Sequence, residues 1–542
     1  MEAAFTTQFS SMQLEEQSLV TATTTRPNAS HFRWVICALL FWVTTANYID
    51  RSVFGNLAPE MPAYLHLADY VTNAEISAYA SEHASEIVPA HLPLGIDIED
   101  NTEAATFVRG QIARRRWDEA YWNMQMLFSA AFALSLLVMG RIMDVFGLRW
   151  GFVFACAFWG LSAMLHALAP EIGVLLGSPL MGFFVCRFLL GFGEGGNMPG
   201  AIKATAEWFP RRERALATGL FNSGANVGGL LVPWLLPWLV AQFSLLTVGP
   251  IVVGWRGTFI VTGVVDLCWI GAWLALYRKP QDHPRLSEAE LEYIREGCEE
   301  PGAKLPWRKL IPYRQTWAVV VGSLLTDCFW SFYLFATPDL FNRRFGLSLE
   351  GRKYLIMVIL VVTSVGSIAG GWLSGRLMNI GCSVNRARKV TLLICAICTV
   401  PVFYACLTSN KWVCAVLIML AASGHQAWKA NLLSTVGDMF PKRAVGSVVG
   451  FAGFVAAIGM VTLFYFTGKI LKVTGNYLPV FILASCCYVL ALLLVHLIVP
   501  NLDPVKADEE KKLEKQMAYE TKEEYRQSFN LTDVRRPRPD RE

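Results

Sequence analysis

The chain has 542 residues, of which 54% are hydrophobic and only 17% are charged. This composition, with its positive mean hydropathy, is typical of integral membrane proteins and excludes an ordinary set of soluble domains. The formal net charge of +4 is small and the basic residues are dispersed between apolar runs, so the chain carries no extended basic face of the kind that binds nucleic acid.

Apolar runs that are long enough to cross a bilayer recur along the chain. A hydrocarbon core about 30 Å thick requires about 20 apolar residues in each spanning helix. Hydropathy windows of about 19 residues predict twelve spans, at residues 34–56, 120–142, 151–169, 174–200, 214–240, 257–277, 317–341, 354–376, 388–407, 411–433, 444–470 and 478–499. We therefore predict an all-α membrane protein with twelve transmembrane helices.

Basic residues predict the orientation of these spans. An even number of spans places both termini on one side, and clusters such as Arg211–Arg214 and Lys442–Arg443 fall on that side. Cytoplasmic loops carry an excess of Lys and Arg, so we expect a multi-pass protein of the inner (plasma) membrane with both termini in the cytoplasm. Arg343 and Arg344 fall on the opposite side, against this rule. The predicted regions are a cytoplasmic tail 1–33, a six-helix bundle 34–277, a cytoplasmic loop 278–316, a six-helix bundle 317–499 and a charged cytoplasmic tail 500–542.

The segment 64–117, between the first two spans, is too long for an ordinary connection and is rich in acidic residues. We expect it to form a small, partly helical extracytoplasmic insertion. It is either a tolerated surface insertion or an element that acts in gating or substrate capture.

The two halves of the chain repeat each other. The sequence Gly140–Asp144, which closes the second span, is echoed by Gly375–Asn379, which closes the eighth. Glu207–Arg212, after the fourth span, is echoed by Asp438–Arg443, after the tenth. Two six-helix halves with a site between them are the architecture of transporters that rock between two states.

The connection after the second span carries a family motif. The sequence GRIMDVFGLRWG (140–151) resembles the signature that joins the second and third helices in the major facilitator superfamily. Gly147 permits the tight turn, and the resemblance implies that Asp144 and Arg149 form a cytoplasmic latch that stabilises one conformation rather than contacting a ligand.

Longer stretches in both halves resemble the anion:cation symporter family, in particular its bacterial hexuronate branch. They are NYIDRSVFGNLAPEM (47–61), CRFLLGFGEGGNMPG (186–200), TDCFWSFYLFATPDLF (326–341) and GHQAWKANLLSTVGDMF (424–440). The resemblance implies a secondary transporter that moves a sugar acid anion together with a cation. Lys429 departs from the family, whose members carry a small residue there, and the 64–117 insertion is a second departure.

Ionisable residues inside spans are costly and therefore tend to line a cavity. Arg187 and Glu194 are seven residues apart on the fourth span, so they share a helix face at a separation of roughly 10 Å. A guanidinium there can bind a substrate carboxylate, while the glutamate takes up a proton. The alternative is a buried ion pair that stabilises helix packing.

The first span carries a second acid and base at adjacent positions. Asp50 and Arg51 point about 100° apart on a helix, so they do not simply pair with each other. The family resemblance implies that Asp50 and Glu194 carry protons, that Arg51 and Arg187 lie beside the anion, and that Tyr48 faces the substrate. Interhelical salt bridges alone are the competing interpretation.

Polar and aromatic residues of three further spans complete the candidate set. On the seventh span, Asp327, Trp330 and Tyr333 are spaced three residues apart and therefore lie along one side of the helix. Their polar groups and aromatic rings suit a hydroxylated sugar acid, although aromatic residues at this spacing are also common in helix packing. Lys429, on the tenth span, would favour a substrate with a second acidic group.

The tenth and fifth spans carry Gln and Asn side chains that could bind substrate. We favour Gln426 and Asn431 as ligands for substrate hydroxyls, whereas His425 is equally well explained as a hydrogen-bonded core histidine. Asn222 and Asn226 share a face of the fifth span and either contact substrate or bridge helices.

Cofactor and enzyme motifs do not stand out. The 13 cysteines lie mostly inside apolar runs and lack paired CxxC spacing, and HExxH, GxSxG and phosphate-binding patterns are missing from suitable settings. We expect no metal, no cofactor and no enzymatic reaction.

The leading hypothesis is proton-coupled uptake of a hexuronate by alternating access. The partners expected are a small organic anion and the lipid bilayer, but no nucleic acid, and the chain should function as a monomer. Sodium is the alternative coupling ion. The alternative cargo is an aldonate, a glucarate-type diacid or another organic anion, and a membrane sensor on a transporter scaffold is a third hypothesis.

Overall fold

The structure is a computed structural model that describes residues 31–82, 102–248, 251–295, 310–440 and 442–503. Most of both predicted tails, part of the 64–117 insertion and part of the 278–316 loop therefore lie outside the described residues. The described part is all-α except for a ladder of two short strands, Thr247–Val248 and Ile251–Val252. The predicted fold class is confirmed.

Long helices occupy all of the predicted span positions. We number them α1 to α12 in chain order. They are α1 (Phe32–Leu57), α2 (Thr102–Val145), α3 (Gly147–Leu165, continued by a 3-10 turn His166–Leu168 and by Ala169–Leu175), α4 (Pro179–Glu194, continued by Asn197–Trp208), α5 (Arg211–Ser244), α6 (Gly254–Leu276), α7 (Arg314–Phe345), α8 (Leu349–Asn379), α9 (Val384–Thr399, continued by a 3-10 helix Val400–Cys406), α10 (Lys411–Met439), α11 (Lys442–Thr474) and α12 (Leu478–Ile498).

Shorter helical elements lie at the edges of the insertion and in the central loop. The short helix Met61–Tyr64 leads into the insertion, which contains a 3-10 turn Leu67–Tyr70 and the helix Asn73–Glu82. α2 begins well before its predicted span, at Thr102. The loop after α6 contains a 3-10 turn Pro280–Asp282 and the helix Glu288–Arg295.

Helix length and surface composition indicate a multi-pass membrane protein. Within the described residues, nine helices or helix pairs are long and apolar enough to cross a membrane. Large apolar side chains lie on the outside of these helices; Ile368, Trp372 and Leu497 are 74%, 67% and 64% exposed. In water such a surface would be unfavourable, whereas lipid tails solvate it.

Local sequence determines where neighbouring helices are joined. α7 ends at Gly346, whose φ of 62° lies in the left-handed region that favours glycine. α8 begins after Ser348, whose hydroxyl accepts a hydrogen bond from the Gly351 N–H at 3.3 Å. This stop and this cap lie two residues apart, so the connection is short.

The described residues group into two compact units. Unit 1 lies within Met1–Phe54 and Ala131–Glu300, and unit 2 lies within Gly55–Ala130 and Pro301–Glu542. The unit boundaries therefore fall inside α1 and α2, because residues after Phe54 and before Ala131 pack with the C-terminal helices. The predicted division into bundles 34–277 and 317–499 stays a prediction.

Two glycines of unit 1 allow helices to approach closely. A Cβ at Gly193 would lie 2.7 Å from the Trp159 Cβ, which places α4 directly against α3. A Cβ at Gly160 would lie 2.9 Å from the Cβ of Asp266, so α3 and α6 touch beside that aspartate. Small residues at such crossings are the usual means of close helix packing in membranes.

Candidate functional site

Unit 1 holds a buried group of charged side chains from α1 and α4. Arg51 donates hydrogen bonds from Nε and Nη2 to the same oxygen, Oε2 of Glu194, at 3.0 Å and 2.8 Å. Glu194 is fully buried and Asp50 is 2% exposed. The Arg51 guanidinium also lies 5.0 Å from the Tyr48 ring centroid, a cation–π contact. Three predicted site residues, Tyr48, Arg51 and Glu194, are therefore in direct contact.

Arg187 occupies the first segment of α4 and is fully buried. Its guanidinium lies 5.0 Å from the Phe54 ring centroid and within electrostatic range of Glu194. The ion pair that Glu194 makes is with Arg51, at 2.8 Å. The interhelical pairing considered for α1 is thus present, and it joins α1 to α4. The role of Arg187 as an anion ligand stays a prediction.

Asp266 of α6 belongs to the same group, and the sequence reasoning missed it. Its carboxyl is fully buried and lies at hydrogen-bonding distance from the Asp50 carboxyl. The signal was available, because Asp266 interrupts the apolar run 257–277, and an ionisable residue inside a span is a functional candidate.

In unit 2, α7 and α10 contribute a second ion pair. The Lys429 ammonium contacts Asp327 Oδ2, and the two side chains are 30% and 16% exposed. The charge of Lys429 is therefore compensated by the protein. This pairing weakens the argument that Lys429 awaits a second acidic group of a substrate.

Trp330 and Tyr333 line a cleft of unit 2 between α7, α8 and α10. The cleft is largely apolar; its lining includes Leu334, Thr337, Ile359 and Ile418. The buried Tyr333 hydroxyl has no hydrogen-bond partner in the described residues, so a polar group of a ligand would satisfy it. Trp330 stacks on His425 with ring centroids 6.1 Å apart.

Two of the candidate residues on α10 make hydrogen bonds within the protein, and a third is half-buried. His425 Nδ1 lies 2.7 Å from the Tyr488 hydroxyl, which supports the interpretation of a hydrogen-bonded core histidine. Asn431 donates to the carbonyls of Gly370 and Ala427 at 3.1 Å and 2.9 Å, so its amide joins α10 to α8. Gln426 is half-buried. Substrate contact by Gln426 and Asn431 stays a prediction.

The paired asparagines of α5 lie at the surface of unit 1. Asn222 and Asn226 are both exposed, so neither bridges helices through a buried hydrogen bond. Whether a substrate reaches them stays a prediction.

The predicted latch is described in part. Gly147 has a φ of 78°, as the predicted tight turn requires. Arg149 donates to the Leu274 carbonyl at 2.7 Å, and its own carbonyl accepts from Trp273 Nε1 at 3.2 Å. Arg149 thereby attaches the start of α3 to the end of α6. The side chain of Asp144 lies outside the described part of the structure.

An ion network near the start of α2 contains Arg343, one of the two arginines that broke the charge rule. Arg343 contacts Asp118 of α2 and Asp339 of its own helix, and Arg114 also contacts Asp339. Asp339 accepts a hydrogen bond from the Tyr477 hydroxyl at 2.8 Å. Buried charges of this kind are tolerated when each is paired, and Arg343 is therefore part of a neutralised network rather than a topological signal. We call this group the α2–α7 ion network.

Arg344 and Arg352 also donate hydrogen bonds to other parts of unit 2. Arg344 donates to the carbonyls of Leu407 and Thr408, each at 2.9 Å. Arg352 is fully buried and donates to both carboxylate oxygens of Glu60 at 2.7 Å and 2.8 Å. No group of His, Cys, Asp and Glu within the described ranges has the arrangement of a metal site.

The chain is similar to known transporters over most of its length. Residues 40–463 match the model of the Major Facilitator Superfamily. The chain is 25% identical to the hexuronate transporter of Escherichia coli (strain K12) over 71% of this chain and 86% of the relative. It is 26% identical to a probable galactarate/D-glucarate transporter of Bacillus subtilis (strain 168) over 82% of this chain and 87% of the relative. The predicted resemblance is confirmed.

Solved structures share the fold. A D-xylose–proton symporter aligns with a TM-score of 0.60 at 14% identity, over 86% of this chain and 98% of the other. A bacterial homologue of the human lysosomal transporter Spinster aligns with a TM-score of 0.58 at 16% identity, over 88% and 98%.

Proposed function

Because this chain belongs to the major facilitator superfamily, we propose that it is a secondary active transporter that takes up a sugar acid anion, a hexuronate, together with protons. The observation that supports this most directly is the buried charged group of unit 1. We propose that the guanidiniums of Arg51 and Arg187 bind the substrate carboxylate during transport, and that the carboxyls of Asp50 and Glu194 carry protons.

The Arg51–Glu194 pair suggests how proton and anion are coupled. Arg51 donates two hydrogen bonds to Glu194 Oε2, at 3.0 Å and 2.8 Å, so an incoming carboxylate has to compete with Glu194 for the guanidinium. A proton on Glu194 removes that competitor, because a neutral carboxyl is a weaker partner for a cation. Anion binding is then favoured when Glu194 is protonated, and each ligand raises the affinity for the other.

We assign the recognition of the sugar ring to residues of unit 2. In the cleft of unit 2, the Tyr333 hydroxyl supplies a hydrogen bond and Trp330 offers an apolar face to the ring carbons. We also assign a hydrogen bond to the amide of Gln426, which is half-buried on α10. Transport follows alternating access, with Asp144 and Arg149 stabilising one conformation. On this proposal the chain catalyses no reaction, uses no cofactor or metal, and works as a monomer in the inner membrane with both termini in the cytoplasm.

A second cargo is an aldonate or a glucarate-type diacid. The relative named as a probable galactarate/D-glucarate transporter aligns over 82% of this chain, which favours this alternative. Against it, Asp327 already neutralises Lys429. A hexuronate with a single carboxylate therefore fits the charges better.

Counterflow in proteoliposomes tests the proposal. Purified protein is loaded with glucuronate, galacturonate, galactonate or glucarate, and exchange of labelled substrate is measured with and without a pH gradient. We expect exchange of the two hexuronates and gradient-driven accumulation that sodium does not replace. Exchange of galactonate or glucarate alone would move the assignment to the second cargo, and absence of exchange with all four anions would refute sugar acid transport.

A further inference from the structure

A second carboxyl group is packed against Asp50. Asp266 of α6 is fully buried, and its side chain meets that of Asp50 at hydrogen-bonding distance. The Thr262 hydroxyl lies near Asp50 and the Trp159 indole N–H lies near Asp266, but neither makes a hydrogen bond of good geometry to the four carboxylate oxygens. Two ionised carboxylates in such a position repel each other strongly in a medium of low dielectric constant. One proton held between them removes the repulsion and forms a hydrogen bond from one carboxyl to the other.

The charges that face this pair give a second, independent argument. Glu194 of α4 and Cys156 of α3 lie within electrostatic range of both aspartates. The next charges are Arg51 and Arg187, which interact with Glu194. Tyr48 contacts Arg51, and His166 lies near Arg187. If all three carboxyls were ionised, the two guanidiniums would leave one uncompensated negative charge in the bilayer interior, which is strongly unfavourable. A single proton on the Asp50–Asp266 pair makes the group electrically neutral.

His166 does not supply the missing positive charge. Its Nδ1 lies 2.8 Å from the Ser162 carbonyl, so this nitrogen carries the proton. Its Nε2 meets no acceptor within the described residues, and the ring stacks on Phe259 at 5.0 Å. One donated N–H and one bare ring nitrogen are the pattern of a neutral imidazole.

Close packing of α3 against α6 fixes the position of Asp266. Gly160 leaves no room for a side chain beside it, since a Cβ there would lie 2.9 Å from the Asp266 Cβ. The Cys156 thiol donates to the Asp266 carbonyl at 3.5 Å. α3 therefore fixes the segment of α6 that carries the carboxyl.

We propose that Asp50 and Asp266 share one proton and together form a proton site of unit 1. Asp266 is thus a coupling residue in addition to Asp50 and Glu194. The coupling role rests on the proposed transport function, whereas the shared proton does not.

Infrared spectroscopy of the purified, reconstituted protein at pH 7 tests the shared proton without any substrate. A protonated carboxyl gives a C=O stretch that is separate from the amide bands and shifts in D₂O. We expect this band in the unmodified protein and its loss in both Asp50→Asn and Asp266→Asn, because each variant leaves two carboxylates facing two guanidiniums. Asp69→Asn, at an exposed position, is the matched control and should leave the band unchanged.

Absence of the band from the unmodified protein, or its persistence in either variant, would overturn the proposal. Should the variants fail to give a monodisperse protein, dicyclohexylcarbodiimide provides a test on the unmodified chain, since it reacts with protonated carboxyls in apolar surroundings. Mass spectrometry should find the adduct on Asp50 or Asp266, and its absence from both would overturn the proposal. In the transport assay, Asp266→Asn should retain anion exchange and lose gradient-driven accumulation; lack of exchange in the unmodified protein would refute the transport function alone.

Discussion

Glu194→Gln separates proton coupling from anion binding. Glutamine keeps the volume of the side chain and a carbonyl oxygen that can accept from Arg51, whose bonds to Glu194 measure 2.8 Å and 3.0 Å. The variant cannot gain or lose a proton. It therefore resembles the protonated state, in which the competitor for Arg51 has been removed, and we expect exchange of labelled hexuronate to stay within about threefold of the unmodified protein.

The loss in accumulation follows from the free energy of the gradient. One pH unit contributes about 1.36 kcal/mol for each coupled proton, which corresponds to about a tenfold accumulation ratio. With the membrane potential clamped to zero and a gradient of about one pH unit, removal of one proton carrier should lower the ratio about tenfold.

The assay compares both activities in the same proteoliposomes. Counterflow without a gradient reports exchange, and uptake under the gradient reports coupling. Glu171→Gln is the control, because Glu171 is a partly exposed glutamate of unit 1 that pairs with Arg256 at 2.8 Å and lies outside the buried group. Equal losses of exchange and accumulation in Glu194→Gln would refute the reasoning and indicate a structural role for the ion pair.

Three further substitutions test other parts of the molecule. Arg187→Lys should lower exchange at least tenfold at constant protein stability, because an ammonium lacks the planar fork that binds a carboxylate through two bonds; unchanged exchange would remove Arg187 from the site. Tyr333→Phe should leave the melting temperature unchanged, since the hydroxyl has no partner in the described residues, but should raise the KM for a hydroxylated anion; a large fall in melting temperature would show a structural role. Arg343→Ala should destabilise the protein by about 3–5 kcal/mol, because it leaves two buried carboxylates, Asp118 and Asp339, with the single guanidinium of Arg114. Lys353→Ala, which breaks a surface pair with Glu350, should cost about 0–1 kcal/mol; equal thermal shifts would contradict the importance of the α2–α7 ion network.

The sequence by itself determined the helices and which residues within one helix share a face. Apolar run length is a local property, so the spans were recognised from hydropathy, and the turn predicted at Gly147 lies where the chain reverses. Arg187 and Glu194 were identified for the same reason, since charge inside an apolar run is visible without any neighbour.

Only the tertiary structure decided which charges meet. Helical spacing says nothing about the rotation of one helix against another, so the pairing of Glu194 with Arg51, of Asp327 with Lys429 and of Asp266 with Asp50 depended on packing between distant segments. Glycine positions control that packing, because they set how closely two helices approach. The energetic reason is general: a charge in a medium of low dielectric constant has to find a partner or a proton, and the partner is chosen by the fold.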